Sequence, residues 1–132
     1  MTSACEISII IPVFNEAGKL QELLNNIRAL RLANSEIIVI DDGSTDGSAD
    51  AAMAGGANVI RHPYNIGNGA AIKSGIRAAR GRFLVFMDGD GQHRPEDIPK
   101  LIAESRNYHM VVGARAKGSK RRVSSLCRQC RL

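Results

Sequence analysis

Tryptophan is absent from the 132 residues, and aromatic side chains amount to 4% of them: Phe14, Phe83, Phe86, Tyr64 and Tyr108. An aromatic core is therefore excluded, and burial has to come from the aliphatic residues that dominate the 44% hydrophobic fraction. A chain of this length suits one domain, which buries roughly two thirds of the surface its unfolded form exposes. Long apolar runs are missing too. The longest lie within residues 7–13 and 83–87, far short of the ~18–20 residues that cross a bilayer, so no membrane span is expected. Residues 1–6 carry neither a basic nor an apolar stretch, so no secretory leader is expected and the expected location is cytoplasmic.

Cysteine is scarce and odd in number (Cys5, Cys127 and Cys130), which argues against a disulfide framework in a chain without a leader. Cys127 and Cys130 have the spacing of half a zinc site or of a redox motif. No second pair follows and no strand-to-helix turn holds them, so reduced thiols are expected. Acid is missing from the end of the chain. All 13 acidic residues precede Arg115, whereas seven of the 18 basic residues, Arg115 among them, lie in 115–132. The net charge of +5 thus belongs to the tail, and the rest of the chain is net acidic. Two regions are expected: a folded unit over 1–115, and a basic tail over 116–132 that is solvated or starts an amphipathic helix. Nucleic acid is an unsuitable partner, because the folded part is acidic and the tail lacks interleaved aromatics. An anionic membrane surface matches the tail better, as a peripheral contact on the cytoplasmic face.

Periodicity supplies the architecture. Residues 7–12, 36–40, 57–60, 82–87 and 110–113 read as strands, and four of the five are apolar almost throughout, the pattern of strands covered on both faces. Leu20, Leu23, Leu24, Ile27 and Leu30 make one helical stripe between the first two strands. A short helix is expected after Asp46 as its cap. A third is expected over 69–80, with Ile72, Ile76 and Ala79 inward and Gly81 ending it. A fourth starts at Pro95, with Glu96 and Asp97 favouring the positive helix end and Ile98, Leu101 and Ile102 buried. Alternating strands and helices predict a doubly wound, mostly parallel α/β sheet with helices on both faces and a ligand crevice at the carboxyl ends of the strands. The loops 12–16, 41–46, 62–69 and 88–93 would all open there.

Asp88-Gly89-Asp90 directly follows a buried strand. Mg²⁺ and Mn²⁺ take oxygen ligands and complete their shell with substrate phosphates, so one or two carboxylates suffice to hold such an ion. The plain alternative, two acids capping a turn, is weakened by this placement at a strand end among other polar loops. Asp41-Asp42-Gly43-Ser44-Thr45-Asp46-Gly47 ends the second strand, where one acid can accept hydrogen bonds from a ribose or base and another can cap. As calcium loops both segments fail: Met53 and Pro99 stand where a bidentate Glu is required. Residues 67–71, Gly-Asn-Gly-Ala-Ala, introduce the third helix; they suit close helix-to-sheet packing, and a phosphate with Lys73 is the other reading. His62, His93 and His109 read as turn or surface residues. Gly-x-Gly-x-x-Gly does not follow the first strand, which excludes a Rossmann oxidoreductase, and Asp-x-Asp after the fourth strand is in the wrong place for an aspartyl phosphatase.

Four segments, Pro12-Val-Phe14-Asn15-Glu16, Asp41-Asp42-Gly-Ser-Thr-Asp46-Gly, Asn65-Ile-Gly67-Asn-Gly69 and Asp88-Gly-Asp90-Gly-Gln92-His-Arg-Pro95, together resemble family 2 glycosyltransferases of the GT-A fold over residues 7–115. Within that family the dolichol- and polyprenyl-phosphate sugar transferases are most similar. The resemblance implies that Pro12, Phe14 and Glu16 contact the nucleoside, and that Ile40 and Asp42 contact the base or ribose. It also implies that Asp88, Gly89 and Asp90 hold the diphosphate and its Mg²⁺ or Mn²⁺, with Gln92 as a further metal neighbour. Arg115, in Val111-Val-Gly-Ala114-Arg115, would close on the donor. Asp88 and Asp90 are then the catalytic pair, the donor a GDP- or UDP-sugar, and the acceptor a lipid phosphate or glycan.

By the same resemblance the family's acceptor half is expected to follow residue 115, and residues 121–132 do not resemble it. A chain truncated in this way is expected to bind donor weakly and transfer sugar poorly. The competing class is a non-catalytic nucleotide-sugar-binding fragment or degenerate paralogue.

Overall fold

The computed structural model describes residues 4–90, 93–113 and the strand at 124–128. Ile7–Val13 (β1), Ser35–Asp41 (β2), Asn58–Arg61 (β3) and Phe83–Phe86 (β4) pair in parallel in the order β3-β2-β1-β4. The expected strands are thus present with ends shifted by a residue or two, and Met110–Gly113 forms β5 as read from the sequence.

Alternation along β1 divides the core in two. Ile9, Ile11 and Val13 point to one face, where Ala17–Ala29 (α1) buries Leu20, Leu23, Leu24 and Ile27 as its spacing predicts. Ser48–Ala54 (α2) joins that face through Ala52. So does Ile98–Ser105 (α4), through Ile98 and Leu101, after a 3-10 turn at Pro95–Asp97. Ile10 points the other way, towards Ile38, Ile40 and Leu84, and Asn68–Ala78 (α3) covers this second cluster. Covering on both faces explains why the strands lack polar alternation.

Three expectations need correction. Along α3 the buried residues are Ala71 and Gly75, and Ala79 just past its end packs on the second cluster as expected, while Ile76 is 40% exposed. The helix lies so close to the sheet that a Cβ at Gly75 would run into Ile10, so only small residues fit beneath it. It stops at Ala78, and Gly81 instead packs on β1, its N–H donating to Ser8 Oγ at 2.8 Å. The cap position of α2 is Gly47, at φ 82°, rather than Asp46.

The third correction concerns the tail. Ser124–Arg128 is a strand, β6, antiparallel to both β4 and β5 and inserted between them, giving the order β3-β2-β1-β4-β6-β5. A solvated tail or amphipathic helix is therefore wrong for these five residues; the rest of 114–132 lies outside the described residues. Ser-Ser-Leu-Cys-Arg has no strand signature of its own. Its conformation comes from pairing with the outer edge of β4, whose backbone groups would otherwise lack partners in the sheet.

α1 and α2 carry the chain outward on one face, and α3 returns it across the other, so the winding reverses between β1 and β4. A crevice opens at the carboxyl ends of these two neighbours. Gly75→Val should lower stability by roughly 1–3 kcal/mol through overpacking. Gly18→Ala, in α1 with open space around it, should raise stability by roughly 0.5–1 kcal/mol; denaturant unfolding of the two variants checks both signs.

Candidate functional site

Where the four parallel strands end, their loops enclose a cleft of about 330 Å³. Pro12, Val13, Phe14 and Glu16 enter it from β1 and Asp42 from β2. Asn65, Gly67, Asn68 and Ala71 enter from the β3–α3 side, and Asp88, Gly89 and Asp90 from β4.

The first two loops are laced to each other. The N–H groups of Asn15, Glu16 and Ala17 donate to Ser44 Oγ (2.9 Å), Ser48 Oγ (3.0 Å) and Asp46 Oδ2 (3.1 Å), while Thr45 N–H donates to Asn15 Oδ1 at 2.9 Å. Asp46 also accepts from Ser48 N–H at 3.1 Å, so it serves the start of α1 and the turn before α2 together. The Ser48 hydroxyl, which donates to Asp46 Oδ1 at 2.5 Å, is the main reason its carboxyl lies below the ordinary range. Asp41 is fully buried and accepts Ser44 N–H at 2.9 Å, with Arg61 Nε 3.7 Å from its other oxygen. Most polar side chains of 41–48 therefore shape the loops rather than face the cleft.

Asp42 differs. It lines the cleft while buried to 5% exposure, and its oxygens accept Ile66 N–H (3.0 Å), Gly67 N–H (2.9 Å) and the His62 ring at 2.8 Å. Burial pushes its carboxyl up, but these three donors outweigh burial and hold it below its ordinary 3.8. The depressed value means that its carboxylate contributes stability above pH 3.8 and loses it as pH falls through the folded value.

Asp88 and Asp90 flank Gly89 at the mouth of the crevice, both partly exposed. A Cβ on Gly89 would meet Val13 Cγ1 at 2.6 Å, so the loop after β4 crosses the end of β1 too closely for any other residue. His93 is buried, and its Nδ1 accepts Asp88 N–H at 3.1 Å, which leaves the ring proton on Nε2, 3.8 Å from Asp88 Oδ2. Across the cleft, Glu16 is raised above its ordinary range by burial first and then by the negative charge of Asp90. A cleft that already opposes one more negative charge fits a divalent cation. Among the described residues no three carboxylate, imidazole or thiol groups converge on one point, so a cation here would take the rest of its shell from a ligand such as a phosphate.

Of the site residues read from the sequence, Pro12, Phe14, Glu16, Asp42, Asp88, Gly89 and Asp90 share the cleft. Ile40 does not: it lies within β2, before the strand end, and its side chain is fully buried under α3 in the second core cluster. Lys73 is exposed and is not part of the lining. Gln92 and Arg115 lie outside the described residues. Sequence reasoning missed His62 and His93, which are structural partners of Asp42 and Asp88 and not surface residues. For His62 the only signal was its position just past the end of β3, and for His93 its place five residues after Asp88 in the same loop. Asp42→Asn should unfold more easily than wild type at pH 6, with the gap closing as pH falls below 3.8; urea unfolding across that range checks it.

Comparison with known proteins adds three findings. The family described as Glycosyl transferase family 2 matches residues 8–125. Undecaprenyl-phosphate 4-deoxy-4-formamido-L-arabinose transferase of Pseudomonas fluorescens is 38% identical over 117 residues, 81% of this chain and 34% of that protein. Dodecaprenyl-phosphate galacturonate synthase of Rhizobium johnstonii is 35% identical over 83% of this chain and 36% of its own length. Among solved structures, glucosyl-3-phosphoglycerate synthase from Mycobacterium tuberculosis, in complex with Mn²⁺, UDP and glucosyl-3-phosphoglycerate, superposes with a TM-score of 0.73 at 27% identity. That match covers 86% of this chain and 45% of the synthase. The chain thus spans between a third and a half of the length of the proteins it matches.

Proposed function

The chain belongs to glycosyl transferase family 2, and on that premise we propose that its cleft binds a sugar nucleotide as the donor side of a transferase acting on a polyprenyl phosphate. One observation carries this reading. A carboxylate pair at the end of β4 faces, across the reversal point of the sheet, a wall with one exposed aromatic ring and one buried, oriented carboxylate. Such a cleft offers separate surfaces for a diphosphate and for a nucleoside.

Phe14, 45% exposed at the rim, presents a ring face on which a base can stack. Asp42 has three of its roughly four acceptor positions filled, and the remaining one suits a ribose hydroxyl or a base N–H. Asp88 and Asp90 lie where the diphosphate would end, as holders of Mg²⁺ or Mn²⁺; UDP and Mn²⁺ in the related synthase support this choice. When bound, the cation supplies Lewis-acid stabilisation of charge on the departing diphosphate. Transfer breaks the bond between the anomeric carbon and the diphosphate oxygen, whose electrons leave with the nucleotide, while an acceptor oxygen bonds to the carbon. A phosphate acceptor is already ionised at neutral pH and asks no proton removal of the protein, whereas a sugar hydroxyl would require a general base.

The relatives act on lipid-linked phosphates, and the basic residues of 115–131 have the charge to attract anionic headgroups, which supports a peripheral membrane setting. Among the described residues no helix is long and apolar enough to cross a membrane. Calorimetric titration of the 132-residue chain with UDP- and GDP-sugars should show binding of one nucleotide that requires Mn²⁺ or Mg²⁺ and disappears with EDTA or in Asp90→Ala. Metal-independent binding, or none in a folded chain, would reject the reading.

A further inference from the structure

Asp42, His62 and Ser74 form a connected chain that no motif in the sequence announces. His62 follows β3, and its N–H donates to Asp41 O at 2.8 Å, which holds its backbone beside the end of β2. Its ring turns inward to 10% side-chain exposure, with Nδ1 2.8 Å from Asp42 Oδ1 and Nε2 2.8 Å from Ser74 Oγ. Ser74 lies on α3, whose own start is fixed by Asp42 through Ile66 N–H and Gly67 N–H. The network is closed: the helix holds the imidazole, the imidazole orients the carboxylate, and the carboxylate fixes the loop that begins the helix. No side chain of the Gly67 cap position could do this, and a carboxylate at the positive end of α3 also suits the helix dipole.

An acid, an imidazole and a hydroxyl at these distances resemble a hydrolytic triad, and the placement excludes that role. Ser74 sits inside α3, where its backbone N–H is committed to the helix, and it does not line the cleft, whereas Asn68 and Ala71 of the same helix do. The chain's outlet is Asp42, which does line the cleft and keeps one acceptor position for a ligand.

Resting on the donor-binding reading above, we propose that His62 is a positioning residue for nucleoside recognition. Through Asp42 it orients the acceptor that the nucleoside meets and holds Ile66 and Gly67 as the wall beside it, with Ser74 locking the imidazole. The Asp88–Asp90 side of the cleft does not depend on it. A hydrogen bond to a charged group is lost when the imidazole is removed, which corresponds to a roughly ten- to hundredfold effect on a ligand that relies on Asp42.

The test compares wild type, His62→Leu, His62→Asn and Ser74→Ala as full 132-residue chains. UDP and GDP are titrated with Mn²⁺ present, Mn²⁺ is titrated alone, and amide hydrogen exchange is followed at Ile66 and Gly67. The expected result for His62→Leu is nucleotide affinity down by ten- to hundredfold, unchanged Mn²⁺ affinity and lost protection at both amides. His62→Asn, whose amide can still donate to Asp42, should recover most of the affinity, and Ser74→Ala should fall between. A folded His62→Leu that binds nucleotide like wild type, or keeps Ile66 and Gly67 protected, overturns the positioning role and leaves the donor reading standing. Lost protection in His62→Leu, in a protein whose wild type binds neither UDP nor GDP, supports the positioning of the loop and sinks the donor reading.

Discussion

The parallel pairing of β1 along both of its edges, with β2 on one side and β4 on the other, is the constraint from which the site follows. A strand paired on both edges and covered on both faces is held firmly; β2 ends beside Val13 and β4 beside Ile10, so the segment 87–90 runs on along the end of β1. α1 follows β1 on one face and α3 leads into β4 across the other, so the winding reverses between these two strands and the crevice lies at that reversal. Gly89 then has to pass over Val13 at a distance that admits no side chain, which places Asp88 and Asp90 on either side of the crossing. Packing deep in the sheet thus sets the separation between the acidic wall and the β1 loop.

The walls are rigid for a second reason. Side chains of 41–48 are committed to the backbone of 15–17, and Asp42 with His62 is committed to the backbone of 66–67. Each such bond contributes only about 0.5–1.5 kcal/mol net, yet together they remove loop freedom that a ligand would otherwise have to restrict on binding. The gathering of Glu16, Asp88 and Asp90 works in the opposite direction. The Glu16 carboxyl is raised by burial first and then by the charge of Asp90, so this wall of the cleft does not favour further negative charge.

Much of this was legible in the sequence. The apolar strands, the α1 stripe and the position of Asp88-Gly-Asp90 after a strand gave the sheet, its winding and the cleft, because each depends on local pattern plus burial. Ile40 was misassigned because strand alternation, which turns it under α3, is invisible in a run that is apolar on both faces. The α3 face was misread because hydrophobicity favoured isoleucine over the Ala71 and Gly75 that close packing on Ile10 demands. β6 was missed because its pairing with β4 and β5 is non-local and its residues carry basic neighbours. His62 escaped notice because its partner Asp42 is 20 residues away and set by tertiary contact, and His93 because a five-residue separation within a loop has no regular geometry to read.

The central claim, that a cation and a nucleoside diphosphate meet between β1 and β4, is tested most directly by paramagnetic broadening in the NMR spectrum of the chain with UDP or GDP and trace Mn²⁺. The account predicts strong broadening at residues 88–90, weaker broadening at 13–16 and 65–68, and sharp signals at Arg28, Glu36 and Arg80 on the opposite end of the sheet. Broadening centred on that opposite end, or spread evenly over the surface, would contradict it.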